Sequence, residues 1–133
     1  MNALFADTSY FIALLSIRDI HHRRADKYTR EFDGIVITTQ WIMLELANFF
    51  ADSQKRAQTI ELIETIITDP KTVCIPATEA SFRAGWQLYQ TRRDKGWSLT
   101  DCISFNSMHD RGLMEALSSD RHFEQAGFRI LLK

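Results

Sequence analysis

The stretch Leu4-Phe5-Ala6-Asp7-Thr8 decides how the rest of this chain is interpreted. Three apolar residues run directly into an acid, and a helical pattern begins at the next residue. This order is typical of a buried strand whose carboxyl end delivers a carboxylate into a strand-to-helix turn. Because ligands of open α/β sheets bind beyond the carboxyl ends of the strands, Asp7 is either a helix cap or a functional group.

The remainder of the chain alternates short apolar runs with longer helical patterns, as βαβ units around a parallel sheet do. The sequence predicts an α/β fold, a three-layer α/β/α sandwich with a central, mostly parallel sheet of four to five strands. We expect one domain over residues 1–133. Four further strands are predicted at 35–37, 73–75, 116–118 and 129–132, the last of them at or near an edge.

The composition limits the class of protein. Of the 133 residues, 45% are hydrophobic and 25% charged, which fits one globular domain with its own core. No window approaches the ~18 apolar residues of a membrane span, and no signal peptide is evident. Cys74 and Cys102 lie far apart in the sequence and form no close metal-type pair, so we expect two reduced thiols in a cytoplasmic protein. We expect no membrane partner. Since the net charge is −1, a nucleic acid must be held by a local basic patch or by cations.

Glu45 is the single acid in a strongly apolar helical run at 41–50. Burying a lone carboxylate costs several kcal/mol unless the group is paired or ligates a metal. Asn48 and Asp52 share its helical face, so Glu45 lies either on a narrow solvent stripe or along a cleft.

Asp101 and Asp120 are two further candidate acids. Ser98 and Asp101 have the spacing of a capping box, although a helix N-terminus is also favourable for phosphate. Thr100 adds a second hydroxyl beside Asp101. Asp120 follows the strand predicted at 116–118, so each acid taken alone has a capping alternative.

The predicted topology brings Asp7, Glu45, Asp101 and Asp120 to one end of the sheet. Like charges raise one another's pKa, so four adjacent carboxylates stay ionised only beside cations. Mg²⁺ prefers oxygen ligands and binds through carboxylates, waters and substrate phosphates. Two such ions can activate a water and stabilise the leaving oxygen of a phosphodiester. The four acids therefore point to metal-assisted phosphodiester hydrolysis.

The ordered motifs resemble those of PIN-domain proteins over essentially the whole chain. The matching segments are Asp7-Thr8, Glu45 with Asn48, Ser98-Leu99-Thr100-Asp101-Cys102 and Ser119-Asp120-Arg121-His122-Phe123. The resemblance implies a parallel α/β/α sandwich that cleaves RNA as a Mg²⁺- or Mn²⁺-dependent endoribonuclease. Single-domain members of this size are often VapC-like toxins of type II toxin–antitoxin pairs. That implies a cognate antitoxin and a homodimer.

The resemblance also implies roles for individual residues. Asp7, Glu45, Asp101 and Asp120 would be the catalytic acids and metal ligands, and Thr8 would support the first of them. Where some members carry a second acid two positions after Asp120, this chain has His122, so one or two metal ions remain possible. Asn48, Ser98 and Thr100 are expected to support the site, whereas Arg93 and Lys95 either grip the substrate phosphate or form a solvated helix end.

Two other functions remain open at this level. An inert PIN-like module would bind RNA or a protein without cleaving it. An aspartyl-phosphate phosphohydrolase would use Asp7 as nucleophile, but Ser9 stands where the second acid of its Asp-x-Asp-x-Thr pattern belongs. Away from the acids, the helical spacing of Phe82, Trp86 and Tyr89 predicts that these three side chains belong to the core.

Overall fold

The computed structural model describes residues 2–133, and a five-stranded parallel sheet lies at its centre. Its strands are β1 (Ala3–Ala6), β2 (Ile35–Thr39), β3 (Thr72–Ile75), β4 (Glu115–Leu117) and β5 (Arg129–Ile130). The flanking helices are α1 (Thr8–Leu15), α2 (His22–Glu31), α3 (Gln40–Phe49), α4 (Arg56–Thr68), α5 (Glu79–Thr91), α6 (Leu99–Asp110) and α7 (Arg121–Gln125). The predicted α/β/α sandwich is confirmed.

The strand order β3-β2-β1-β4-β5 places the first strand in the middle and the last at an edge. The chain builds one half of the sheet through β2 and β3, and then returns to the other side of β1 for β4 and β5. The order therefore reverses between β1 and β4. In open parallel sheets such a switch point opens a crevice beyond the carboxyl ends of the strands.

Aromatic packing fixes the elements around this crevice. Phe5 of β1 lies 6.3 Å from Phe123 of α7, measured between ring centroids, and Phe123 lies 4.9 Å from Phe105 of α6. All three side chains are almost completely buried. Large apolar side chains at these positions stabilise the fold through burial, and the Phe105 and Phe123 rings also meet edge to face. The same contacts hold β1, α6 and α7 in a fixed relation to one another.

Local signals explain where the neighbouring helices begin. The Thr39 hydroxyl accepts the backbone N–H of Ile42 at 3.1 Å and caps α3. Thr78 and Ser81 form a capping box at the start of α5. Threonine and serine favour such positions because their oxygens satisfy backbone donors that a helix leaves unpaired. Within residues 2–133, no helix combines the length and the apolar character needed to cross a membrane.

The prediction that Phe82, Trp86 and Tyr89 belong to the core is wrong. These side chains are 42%, 45% and 44% exposed. The rings of Trp86 and Tyr89 stack on each other with 5.6 Å between centroids, and Phe82 contacts Trp41. Helix α5 turns the small residue Gly85 towards α6 instead, so the close approach of the two helices decides which face is buried.

We expect the substitution Gly85→Ala to lower the free energy of unfolding by about 1–3 kcal/mol. A methyl group at Gly85 would overlap the Ile103 side chain and lie 3.4 Å from the Ile103 Cα atom. This loss should appear although alanine favours helix over glycine by about 1 kcal/mol. Urea denaturation measures it. As a control, the double variant Gly85→Ala/Ile103→Ala should lose less stability than the sum of the losses of the two single variants, because Ile103→Ala removes the overlapping side chain. A Gly85→Ala variant that is more stable than wild type would contradict the close contact.

Candidate active site

Four acids line one open cleft beyond the carboxyl ends of β1 and β4. Asp7 directly follows β1, and Asp120 lies at the start of α7, three residues after β4 ends. Glu45 reaches the cleft from α3, and Asp101 from the first turn of α6. The structure thus brings together the four side chains that the sequence singled out, from elements up to 113 residues apart in numbering (120 − 7).

Asp7 is the most buried of these acids and does not act as a helix cap. It occupies the position before α1, yet its side chain makes no capping hydrogen bond. Instead, its Oδ2 atom accepts the hydroxyls of Ser9 at 2.9 Å and Ser118 at 3.0 Å. Burial raises the pKa of Asp7 to about 7, and the nearby charge of Asp101 adds to the rise. A nearby cation would favour the ionised form of this carboxyl, which burial disfavours.

Asp101 does cap its helix, and it also faces the cleft. Ser98 and Asp101 form the predicted capping box, with the Ser98 N–H 3.1 Å from Asp101 Oδ2. The same oxygen lies 3.0 Å from His122 Nδ1. Burial raises the pKa of Asp101 even though these contacts oppose the rise. The capping and functional interpretations are therefore compatible, because both contacts engage only one carboxylate oxygen.

Glu45 lies along a cleft and not on a solvent stripe. It is half-buried, and its Oε1 atom accepts the buried Thr8 hydroxyl. Asn48, one turn further along α3, is exposed and is not among the residues that line the cleft. Thr8, the residue that follows Asp7, is thereby hydrogen-bonded to an acid on a different helix.

His122 is the residue that sequence reasoning left without a role. Among residues 2–133, Asp101, Asp120 and His122 form a group whose ligand atoms lie within 4.8 Å of one another and could hold a metal ion. The Asp120 Oδ1 atom accepts the His122 backbone N–H at 2.9 Å and lies 3.5 Å from its Nδ1 atom. The signal in the sequence was a histidine two positions after Asp120.

The hydrogen bonds at the four acids share one property. They engage Oδ2 of Asp7, Oδ2 of Asp101, Oδ1 of Asp120 and Oε1 of Glu45, one oxygen in each carboxylate. The second oxygen of every acid is left by these bonds for another ligand. Asp101, Asp120 and His122 are the members of this set whose ligand atoms lie within 4.8 Å of one another, and Asp7 and Glu45 line the same cleft. This donor chemistry fits a divalent cation.

Of the remaining predicted residues, some line the cleft and others do not. Ser98 lines it, as does Thr8. Thr100, Arg93 and Lys95 are not among its lining residues, and the Arg93 Nε–H donates to the Gln90 carbonyl at 3.2 Å. Ser9 and Ser118, which contact Asp7, were not predicted because a serine near a strand end carries no distinctive pattern.

The chain belongs to the PIN domain family, whose model matches residues 4–129. Among solved structures, it is similar to Mycobacterium tuberculosis VapC20, named a sarcin-ricin loop cleaving toxin. That match has a TM-score of 0.86 and 21% identity, covering 94% of this chain and 95% of the other. FitAcB from Neisseria gonorrhoeae matches with a TM-score of 0.69 and 15% identity over 96% of both chains. DNA-bound VapBC from Salmonella typhimurium matches with a TM-score of 0.65 and 18% identity, covering 98% of this chain and 97% of that chain. No curated protein matches this chain by sequence.

The raised pKa of Asp7 predicts a pH-dependent stability in metal-free solution. An unfolded carboxyl titrates near about 4, whereas Asp7 in the folded protein titrates at about 7. Between these values the folded state holds a proton that the unfolded state has lost, so the free energy of unfolding falls as pH rises. Asp7→Asn removes this dependence, because its side chain stays neutral.

Thermal melts with a chelator, at about pH 5 to about pH 8, measure the effect as a difference between variants. The melting temperature of Asp7→Asn minus that of wild type should increase with pH. Taking this difference cancels the titration of the groups that do not interact with Asp7, whereas Asp101 stays coupled to it. A difference that stays flat across the range would show that Asp7 titrates at its ordinary value.

Proposed function

We propose that this PIN-domain protein is a metal-dependent endoribonuclease and the toxin of a VapC-like toxin–antitoxin pair. The observation that carries the proposal is the cleft that Asp7, Glu45, Asp101 and Asp120 line together, where the side-chain hydrogen bonds described above engage one oxygen of each carboxylate. Such an arrangement of hard oxygen ligands is suited to divalent cations and, through them, to phosphate. The likeness to a toxin named for cleaving the sarcin-ricin loop supports RNA as the substrate.

Mg²⁺, with Mn²⁺ as substitute, is the proposed cofactor. When bound, the metal supplies positive charge that neutralises the acids and stabilises the charge developing on the phosphodiester. The acids would hold it, with His122 beside Asp101 and Asp120. Thr8 fixes Glu45, and Ser98 fixes Asp101, so that both acids are oriented before the substrate arrives.

Other groups are proposed to act on the substrate and on partners. Arg93 and Lys95 precede α6 and would contact RNA phosphates that extend beyond the cleft, while Asn48 and Thr100 would support its rim. A cognate antitoxin, a homodimer and a cytoplasmic location complete the proposal. The likeness to the structures of FitAcB and of DNA-bound VapBC supports the pairing with an antitoxin.

The substitution Asp101→Asn should reduce RNA cleavage on the order of 100-fold or more, because it removes a proposed metal ligand. Its thermal melt without metal should stay the same or rise, because burial already disfavours the Asp101 charge. Cleavage of a labelled RNA under single-turnover conditions measures the first effect. Asp110→Asn is the matched control, since it removes an exposed acid from the other end of α6. Equal cleavage by Asp101→Asn and wild type would refute the proposal.

Metal titration separates the nuclease from an inert PIN-like module. Mn²⁺ or Mg²⁺ should raise the melting temperature of the wild-type protein in proportion to the logarithm of its concentration, because a ligand of the folded state stabilises it. The shift should disappear when a chelator is added, and in the double variant Asp101→Asn/Asp120→Asn. A wild-type protein that melts at the same temperature with and without either ion would favour the inert module.

A further inference from the structure

Two serine hydroxyls connect the acid that follows β1 to the acid that follows β4. Ser9 and Ser118 both donate to Oδ2 of Asp7, at 2.9 and 3.0 Å. The same two oxygens accept backbone N–H groups from the turn after β4. Ser9 accepts from Ser119 at 3.1 Å, and Ser118 accepts from Asp120 at 3.0 Å. Each serine therefore contacts both sides of the strand-order switch point.

The number of protons available defines the direction of these bonds. A serine hydroxyl has one proton to donate. If both protons go to Asp7, the 3.3 Å separation between Ser9 Oγ and Ser118 Oγ is a contact without a proton. The oxygen Oδ2 of Asp7 then accepts two hydrogen bonds, and Oδ1 is the oxygen that the serines leave for a cation.

We propose that Ser9 and Ser118 are positioning residues of the metal site, and this rests on the proposed metal-dependent function. They select Oδ1 of Asp7 as its metal-binding oxygen. By holding the N–H groups of Ser119 and Asp120, they also fix the turn that presents the second acid to the same cleft. One pair of hydroxyls thus sets the relative placement of two metal ligands from different strands.

The buried serines of this protein provide an internal comparison. Ser118 and Ser104 are both completely buried. The hydroxyl of Ser104 has no hydrogen-bond partner among the described residues, whereas that of Ser118 contacts both Asp7 and Asp120. Replacing either by alanine removes the same buried atom, but only one replacement removes a connection to the acids.

Mn²⁺ affinity, measured from the electron paramagnetic resonance signal of the free ion, tests this proposal on the full chain. Ser9→Ala and Ser118→Ala should each weaken Mn²⁺ binding about tenfold or more, as loss of an outer contact to a metal ligand does. The double variant Ser9→Ala/Ser118→Ala should lose less Mn²⁺ binding free energy than the two single variants lose together, because both hydroxyls act on one oxygen of Asp7. Ser9→Thr keeps a hydroxyl and should keep the wild-type affinity. Ser104→Ala should also bind Mn²⁺ as the wild type does.

The outcomes separate this inference from the proposed function. Asp101→Asn serves as the reference that must lose Mn²⁺. If wild type binds Mn²⁺, Asp101→Asn does not and the folded serine-to-alanine variants bind like wild type, the positioning role is overturned while the proposed metal site stands. If wild type fails to bind Mn²⁺, both are overturned.

A crystal of the wild-type protein soaked in Mn²⁺ decides the case in which an alanine variant does not fold. Mn²⁺ on Oδ1 of Asp7, with both hydroxyls on Oδ2, supports the proposal. Mn²⁺ on Oδ2, or serines turned away from Asp7, contradicts it.

Discussion

The burial of carboxylates beside one another is the constraint on which the arrangement of this protein depends. Four acids line one cleft, and no lysine or arginine is among the residues described as lining it. Burial is the largest cause of the raised pKa of Asp7 and of Asp101, and a neighbouring acid adds to the rise in each case: Asp101 for Asp7, and Asp120 for Asp101. A site of this kind lowers the stability of the empty protein, as binding sites prepared for a charged ligand often do. The remainder of the fold must therefore hold these acids in place against their own electrostatics.

Buried aromatic packing supplies much of that support. Phe5, Phe105 and Phe123 come from the three elements that carry or directly adjoin Asp7, Asp101 and Asp120. Their contacts lie beneath the cleft elements and involve no charge, so they keep the backbone fixed whichever protonation state the acids adopt. Rigid support of this type is what a metal site requires of its surroundings.

The sequence predicted the sheet and singled out the four acids that line the cleft, because both depend on local patterns. An apolar run ending in an acid identifies β1 with Asp7, and a lone acid in an apolar helix identifies Glu45. The contacts made by Ser118 and His122 were beyond such reasoning, since they depend on which strands become neighbours. The exposure of Trp86 was missed for a related reason. Periodicity shows that a stripe exists on α5, but Gly85 and its close approach to α6 decide which side is covered.

The strand order has a consequence for synthesis of the protein. The hydrogen bond between Ser118 and Asp7 joins residues 111 positions apart, and β4 pairs directly with β1. A nascent polypeptide that has emerged only as far as α6 contains three of the acids but neither the neighbouring strand nor Asp120. The cleft therefore cannot assemble before β4 and Asp120 are available, and closing so long a loop carries an entropic cost. A ribosome translating this message therefore carries an incomplete centre until β4 and Asp120 emerge, so termination before that point releases fragments without the assembled cleft.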